Sequence, residues 1–401
     1  MRLYSASAEE TLRARKFVKD WAAESRIDGV QNQRLEQETV SGLRTTNIFL
    51  RLVFFFFTVI IVGATVGLFF EVFLSGSSQQ TVGIFLLIFS IVCYAAAEVV
   101  VSQFRLYRFG IEEALAVFSV GFLCAGIEIA FFSGYYSSQP RGDQFLIPLV
   151  GSVFSLWIWH RFGLWYAFLA AMIFAPFLPG YWTSSHAAQH MIVAMVYSLG
   201  LIWIAAVRSG HRYDYLEDAY SLAEALLWFG IYLALNLKLS SLDLPARWWS
   251  PVTRNASEFS RSFYWATWVL IWSLPAAILA RGIRLKDRFV IAVGAIAAIL
   301  TFICNKPYLG WQRHTWDPML LGILLTGVAL FTRRWLSRGP GGVRNGFTAA
   351  RLSGKDKHWM NAGSAVLGLI SPQSVTPRPQ TNSDFRFGGG ASGGGGASSD
   401  F

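Results

Sequence analysis

The sequence has few charged residues, which make up 14% of its 401 positions. Soluble globular domains usually carry about 25% charged residues. Hydrophobic residues reach 54% of the chain, and aromatic residues alone account for 16%. This composition argues against a water-soluble fold and favours a protein that lies largely in lipid.

Cysteine is scarce as well. The three cysteines, Cys93, Cys124 and Cys304, all fall in apolar stretches. Their separation matches neither the paired spacing of a disulfide framework nor the clustered spacing of a metal site. We therefore expect no disulfide scaffold and no metal ion, and the chain carries no motif that would predict a cofactor.

The sequence motifs of common enzymes are missing. The chain has no glycine-rich phosphate loop, no HExxH zinc motif and no nucleophile elbow. The N-terminus also lacks the short apolar core and small-residue cleavage site of a secretory signal. We expect the first membrane helix to act as an uncleaved insertion signal, and the catalytic residues, if the chain has any, stay unknown.

Long apolar runs dominate what is present. About ten runs of roughly twenty residues lie between Leu50 and Leu336, each long enough to cross a hydrocarbon core as a helix. In lipid, a helix satisfies its backbone hydrogen bonds within its own segment. The predicted fold is therefore all-α, a polytopic transmembrane helix bundle with about ten spans. The spans are predicted at residues 50–72, 81–102, 111–133, 144–159, 162–179, 187–207, 219–237, 262–280, 288–304 and 317–336.

The fourth and fifth predicted spans are shorter than most of the others. Two interpretations stay open for them: tilted full crossings, or a re-entrant pair around His160 and Arg161. Pro148 and Pro176 lie within them and interrupt helical hydrogen bonding, so neighbouring helices must satisfy the backbone there.

Residues 1–46 predict a small cytoplasmic region of amphipathic helices. Ser7 and Glu10 have capping-box spacing, and a break near residues 26–29 separates a first helix from a second. The apolar face of the first helix is narrow. We expect this region to pack either on the bilayer surface or on the protein's own loops.

The membrane bundle is predicted to occupy residues 47–338, followed by a cytoplasmic tail at 339–401. A short apolar segment at 359–370 cannot span a bilayer but suits its interface. The end of the chain is rich in glycine and serine, which cannot bury a core, so we expect it to be disordered.

Basic residues give the chain a net charge of +10, and most of the excess lies in short connections and the tail. The positive-inside rule explains this distribution without a nucleic-acid partner, and we expect none. Connections 75–80 and 181–185 are uncharged, whereas loop 238–261 is an exception with four basic residues. The balance predicts that both termini are cytoplasmic. The residues predicted to share the N-terminal side are Arg105, Arg108, Arg161, Arg208, Arg212, Arg281, Arg284, Lys286, Arg288, Arg333, Arg334 and Arg338.

Two stretches resemble a widespread bacterial family of multi-spanning membrane proteins of unknown function. They are ARKFVKDWAAESRIDGVQNQRLEQE near the N-terminus and IEEALAVFSVGFLCAGIEIAFFSGYYSSQPRGDQF at the third span and the polar loop after it. The glycine-rich tail is similar to the tails of other bacterial membrane proteins whose role is not settled. The resemblance implies a bacterial inner-membrane location and supplies no catalytic residue.

Ionisable residues inside membrane spans are candidates for function. Glu98, Glu128 and Glu224 meet this description. All three lie toward the ends of their predicted spans, away from the midplane where a coupling-ion site is usual. We expect structural roles, for instance Glu98 facing Arg105, and keep a proton or cation path as the alternative.

His186 and His190 stand four residues apart, which places both on one face if the helix begins by Ser185. This spacing can bind a metal, but a metal site needs further ligands and none is evident nearby. The commoner role for such histidines is an interfacial hydrogen bond. We take that role as the prediction.

The segment from Asn305 to Pro318 is dense in polar and aromatic residues. Asp317 before Pro318 is predicted to cap the last span, and the tryptophans suit a membrane-interface belt. The remaining polar residues of the segment are candidates for binding an anionic lipid or ligand at the outer face, between the loops 238–261 and 305–317. These candidates are Lys306, Arg313 and His314.

Three functional interpretations follow from these observations. The first is a non-enzymatic inner-membrane component that binds lipid, or protein partners through its N-terminal helices and tail. The second is a transporter or channel for a small solute. The third is a membrane-embedded enzyme that acts on lipid or a lipid-linked sugar at the outer face.

Overall fold

The computed structural model describes most of the chain up to residue 348. The described residues are 3–23, 25–132, 142–211, 214, 216–240, 259–312, 314–340, 343–344 and 347–348. Arg212 and Arg313 lie outside the described residues. So do most of loop 238–261, the predicted interfacial segment 359–370 and the glycine-rich end.

Helices account for nearly all of the described structure. The α-helices are α1 Ala6–Ala23, α2 Gly29–Glu38, α3 Ile48–Phe69, α4 Gln79–Phe104, α5 Ile111–Ile127, α6 Leu146–Phe162, α7 Trp165–Phe174, α8 His186–Gly210, α9 Glu217–Leu235, α10 Leu237–Ser240, α11 Arg261–Leu285, α12 Arg288–Tyr308 and α13 Asp317–Ser337. Shorter segments are the π-helical turns Phe70–Leu74 and Glu128–Phe132 and the 3-10 turns Gly142–Phe145 and Ala175–Tyr181. Strands β1 Val343–Arg344 and β2 Phe347–Thr348 form a small antiparallel pair.

Eight helices of the described chain are long and apolar enough to cross a membrane. They run over Ile48–Leu74, Gln79–Phe104, Ile111–Phe132, His186–Gly210, Glu217–Leu235, Arg261–Leu285, Arg288–Tyr308 and Asp317–Ser337. Two further apolar helices, Leu146–Phe162 and Trp165–Tyr181, are shorter. The predicted all-helical class is confirmed, and the eight long apolar helices indicate a multi-pass membrane protein.

Each of the two N-terminal helices begins at a capping residue, and neither is the residue predicted from the sequence. The hydroxyl of Ser5 accepts the backbone N–H of Ala8 at 3.3 Å, so Ser5 caps α1 and the predicted capping box of Ser7 and Glu10 is wrong. Ser7 lies inside α1 and therefore cannot be its cap. A reciprocal capping box does begin α2, where Asp28 and Gln31 each bond the other's backbone N–H.

The N-terminal region packs on the protein's own connections. The N–H of Leu3 donates to the carbonyl of Arg161 at 3.0 Å, at the turn between α6 and α7. Arg44 bonds the connection between α4 and α5, to Arg105 at 2.9 Å and to Tyr107 at 3.0 Å. Two positions were expected for the N-terminal region, on the bilayer surface or on the protein's own loops, and the structure shows the second. The α4–α5 and α6–α7 connections that it contacts lie at the same end of the helices.

Helices α4 and α5 approach each other closely at a glycine. A Cβ atom on Gly83 would lie 2.3 Å from the backbone nitrogen of Ala130, in the π-helical turn that follows α5. Small residues let helix backbones come together in this way, which increases van der Waals contact in a membrane. The hydroxyl of Ser90 adds a hydrogen bond of 2.7 Å to the carbonyl of Ser119.

Buried hydroxyl groups link α9, α11 and α12. Tyr232 and Thr301 share a hydrogen bond of 2.9 Å, and Thr301 donates to the carbonyl of Ile271 at 2.8 Å. The side-chain amide of Asn236 donates to the Tyr232 hydroxyl at 2.9 Å. Interhelical hydrogen bonds of this kind hold membrane helices together, since lipid tails are as apolar as leucine.

Two helices expose nearly all of their surface. Thr58 is the one buried residue of α3, and α13 has no buried residue. Their outward side chains are mostly apolar, including Phe56 and Phe57 on α3 and Phe331 on α13. Such surfaces suit contact with lipid tails.

Candidate functional site

Glu224 is the most enclosed of the predicted membrane acids. It lies in α9 with no exposed surface, and two arginines from other helices bind its two carboxylate oxygens. Arg208, at the end of α8, donates to Oε2 at 2.7 Å. Arg281 of α11 donates to Oε1 at 2.5 Å.

Asp287 joins the same group of side chains from the start of α12. Its Oδ1 caps the helix by accepting the N–H groups of Phe289 at 2.9 Å and Val290 at 3.3 Å. Its Oδ2 accepts a hydrogen bond of 2.6 Å from Ser221 and lies 2.6 Å from the guanidinium of Arg208. Arg208 therefore bridges the two carboxylates.

We name these five residues the four-helix ion cluster, since they connect α8, α9, α11 and α12: Arg208, Ser221, Glu224, Arg281 and Asp287. Two arginines and two carboxylates make the cluster neutral. Burying a charge is unfavourable unless it is paired and hydrogen-bonded, and here both carboxylates are. The arrangement suits a structural role, in which the cluster holds the ends of four helices in register.

Glu98 forms an ion pair with a residue other than the predicted one. The prediction that it faces Arg105 is wrong, because Arg161 of α6 donates to Glu98 Oε1 at 2.8 Å. Tyr94 donates to the same carboxylate at 2.8 Å, and Trp157 donates to the Tyr94 hydroxyl at 2.9 Å. Glu98 thereby connects α4 to α6 near the end that carries the N-terminal region.

Glu128 lies in a different part of the protein. It begins the π-helical turn that follows α5 and is half-buried. Its carboxylate is a charged neighbour of the hydroxyl of Tyr181, at the end of the 3-10 turn that follows α7. The three predicted membrane acids therefore have three separate sets of neighbours, which does not favour a single proton path through them.

A second buried acidic group was missed by the sequence analysis. Arg51, in the first turn of α3, binds Glu113 of α5, with 3.0 Å between Nε and Oε2. The neighbouring Glu112 is fully buried and accepts the N–H of Phe109 at 2.6 Å through Oε1. The signal in the sequence was two adjacent acids at the start of a span, with an arginine at the start of an earlier one.

Several buried oxygen atoms near Glu112 have no hydrogen-bond partner within the part of the chain that the structure describes. They are Glu112 Oε2 and the hydroxyls of Tyr4 and Tyr166. Burial raises the pKa of the Tyr4 hydroxyl well above its ordinary value, and the negative charge of Glu112 adds to the shift. Tyr4 therefore stays neutral, and this end of α5 is a polar region closed off by the N-terminal segment.

The two predicted histidines start α8, at its opposite end from Arg208. The helix begins at His186 behind a Ser185 cap, so both histidines lie in its first two turns as expected. The Nδ1 atom of His190 is hydrogen-bonded to the carbonyl oxygen of Ala234 at 2.7 Å. The Nδ1 atom of His186 lies 3.3 Å from Oε1 of Gln189. Within the described residues, no group of three or more His, Cys, Asp or Glu side chains could hold a metal ion.

Lys306 and Asp317 form an ion pair, with 2.5 Å between Nζ and Oδ1. The Lys306 ammonium also lies 5.3 Å from the ring centre of Trp316. Helix α13 begins at Asp317 itself, so the predicted cap is wrong. The carboxylate instead accepts the N–H of His314 at 2.9 Å, and the His314 ring stacks on Trp316.

The described beginnings of the two predicted outer loops are neighbours. Lys238 lies 5.4 Å from the ring of Tyr264 and 6.0 Å from that of Tyr308. The Tyr308 hydroxyl accepts the N–H of Leu237 at 2.7 Å. Loops 238–261 and 305–317 thus begin at the same end of the helices, and a shared anionic site between them stays a prediction.

Comparison of the chain with protein-family models, with curated proteins and with solved protein structures finds no match in any of the three. The resemblance to a bacterial membrane family therefore stays a prediction.

Proposed function

We propose that the chain is a non-enzymatic, multi-pass component of a bacterial inner membrane that binds lipid or protein partners through its N-terminal helices and its tail. The observation that supports this proposal is that ionisable residues of the membrane helices form ion pairs with other side chains of the protein. Glu98 and Glu224 bind arginines, and Lys306 binds Asp317. These ion pairs indicate structural roles for the residues that form them. The function is therefore assigned to the outer surfaces of the protein.

We also propose that α6 and α7 cross the membrane completely, which makes ten crossings in all. An α-helix of 17 residues such as α6 extends about 26 Å. The ten residues of α7 and the seven residues of its 3-10 continuation extend about 29 Å together. The bond between Leu3 and Arg161 supports full crossing, since it joins the α6–α7 turn to the N-terminal region.

Both termini are proposed to face the cytoplasm. With ten crossings, the connections α4–α5, α6–α7, α8–α9 and α11–α12 lie on the side of the N-terminus. Contacts support this grouping, since Arg13 lies 3.6 Å from Glu217 at the start of α9, and Arg208 pairs with Asp287 between α11 and α12. Together with the N-terminal region and the tail, these connections carry most of the basic residues, which the positive-inside rule assigns to the cytoplasm.

The orientation predicts the labelling of two exposed positions. Single cysteines replace Ser77 and Arg284 in a background where Cys93, Cys124 and Cys304 are substituted. In intact cells, an impermeant maleimide is expected to label position 77, and to label position 284 only after the membrane is permeabilised. Labelling of position 284 but not position 77 in intact cells would reverse the proposed orientation.

The binding role predicts where α1 meets other molecules. A photoreactive benzoylphenylalanine replaces Trp21, which is 43% exposed, or Val18, which is 4% exposed. After irradiation of cells, the Trp21 variant is expected to form adducts with a lipid or another protein, as judged by mass spectrometry. The Val18 variant is the matched control and is expected to form none. Absence of adducts at position 21 would contradict a binding role for α1.

A further inference from the structure

The polar region at the start of α5 has an unbalanced charge. Glu112 and Glu113 lie beside a single arginine, and Arg51 donates to Glu113 rather than to Glu112. The Glu112 side chain is fully buried. Whereas the four-helix ion cluster is neutral, this group of three residues carries a surplus of one negative charge when both acids are ionised.

Two other charged side chains that the structure describes near Tyr4 do not change this balance. Glu9 of α1 and Arg108 of the α4–α5 connection are both charged neighbours of the Tyr4 hydroxyl. Their charges are opposite and cancel. The surplus negative charge therefore remains, and burying a charge is unfavourable unless another charge compensates it.

Three buried oxygen atoms come together here from three parts of the chain. They are Oε2 of Glu112 in α5 and the hydroxyl oxygens of Tyr4, ahead of α1, and Tyr166, in α7. Glu112 is a charged neighbour of both hydroxyls, and the two tyrosines are neighbours of each other. Among the described residues none of the three oxygens has a hydrogen-bond partner, so they are not bonded to one another. Buried polar atoms are rarely left in this way, which indicates that a small ligand lies between them.

Main-chain and ring contacts fix the position of the two tyrosines. Tyr4 is 5% exposed, and its ring packs edge-on against that of Tyr107 with centroids 4.8 Å apart. The preceding residue, Leu3, donates its N–H to the carbonyl of Arg161 at 3.0 Å, just ahead of the helix that carries Tyr166. The fold itself therefore brings both hydroxyls to Glu112.

The three oxygens suit a small monovalent cation. Carboxylate and hydroxyl oxygens are hard ligands, which hard cations prefer. One positive charge compensates the surplus, whereas a water molecule would leave it uncompensated. A calcium ion takes about six to eight oxygen ligands. In the described part of the chain no group of three or more His, Cys, Asp or Glu side chains is available for such an ion.

We propose that Glu112, Tyr4 and Tyr166 form a binding site for one alkali-metal cation, Na⁺ or K⁺. The ion is coordinated by Oε2 of Glu112 and by the two hydroxyl oxygens, and it joins the N-terminal segment to α5 and α7. Because a ligand that binds only the folded state stabilises that state by mass action, the ion raises the stability of the protein.

The test measures ion binding by the full-length protein in detergent. Thermal unfolding is followed while NaCl or KCl replaces N-methyl-D-glucamine chloride at constant ionic strength and pH, since this organic cation is too large for an enclosed site. Binding of radioactive sodium, or of radioactive rubidium as an analogue of potassium, is counted directly. The expected results are a Tm that rises with Na⁺ or K⁺ and then levels off, and one bound ion per chain.

Three variants assign the ion to these oxygens. Glu112→Gln keeps the shape of the side chain and an oxygen for the N–H of Phe109, and it is expected to abolish both signals. Tyr4→Phe and Tyr166→Phe keep the rings and are each expected to move the midpoint of the titration to a concentration about tenfold higher. If Glu112→Gln fails to fold, the two tyrosine variants decide the question.

The matched control is Glu98→Gln, which neutralises another membrane acid near the same end of the helices and is expected to bind the ion as the unaltered protein does. A Tm and a bound count that do not respond to Na⁺ or K⁺ would overturn the site and leave a water molecule between the three oxygens. Saturable binding that none of the three variants alters would place the ion elsewhere in the protein and overturn the proposal as well.

Discussion

Replacing Glu224 with alanine is expected to destabilise the folded protein by about 3–5 kcal/mol. The carboxylate is fully buried and pairs with both Arg208 and Arg281. Its removal leaves two guanidinium groups without their shared partner, and Arg208 keeps its ion pair with Asp287. The loss is expected as a large fall in the apparent Tm of the detergent-solubilised protein, followed by intrinsic or label-based fluorescence.

The matched control is Glu98→Ala, which also removes an acid that binds an arginine. Glu98 and Arg161 are partly exposed, with side-chain exposures of 29% and 23%. Ion pairs with access to solvent contribute about 0–1 kcal/mol, so the fall in Tm is expected to be much smaller. If both variants lowered the Tm equally, the four-helix ion cluster would have no special role in stability.

The substitution Gly83→Ala is expected to have the second large effect, a loss of about 1–3 kcal/mol or more. The added Cβ would lie 2.3 Å from the nitrogen and 2.5 Å from the Cα of Ala130. Both of these atoms belong to the backbone, so a side-chain rotation cannot relieve the clash. Helix α4 and the π-helical turn that continues α5 would have to separate, which weakens the contacts between the two helices.

The matched control is Gly63→Ala in α3, where the added Cβ would meet no atom within 4 Å. Alanine has a higher helix propensity than glycine, by up to about 1 kcal/mol, so this variant is expected to be neutral or slightly stabilised. Both variants are measured by thermal unfolding in the same detergent. A Gly83 variant as stable as the Gly63 variant would contradict close packing between α4 and α5.

The class of the protein and the approximate positions of its apolar helices could be predicted from the amino-acid sequence alone. Hydropathy is a local property, and a run of apolar residues such as 81–102 is helical in lipid whatever its neighbours are. Predicted spans and observed helices therefore agree closely, as in α4, which covers Gln79–Phe104. The sequence also indicated that Glu98 and Glu224 lie toward the ends of their spans, since this follows from counting residues along a helix.

The sequence signals for pairing and for helix starts were weaker. Glu113 and Arg51 are 62 residues apart, and neither segment has a sequence pattern that identifies the other as its partner. The start of α1 was predicted from a Ser-x-x-Glu pattern, but Ser5 lies just ahead of that pattern and caps the helix instead. Several residues near a helix start can act as caps, and tertiary contacts decide among them.

The pairing of the charged residues is evident only in the folded protein. Glu224 and Arg281 are separated by 57 residues, and Glu98 and Arg161 by 63. The structure also decided that the N-terminal segment lies on the connections of the bundle, through bonds such as that between Leu3 and Arg161. The physical reason is that hydropathy selects a helix one segment at a time. Which helices become neighbours depends on the close packing of small residues and the pairing of buried charges, and both are properties of the assembled bundle.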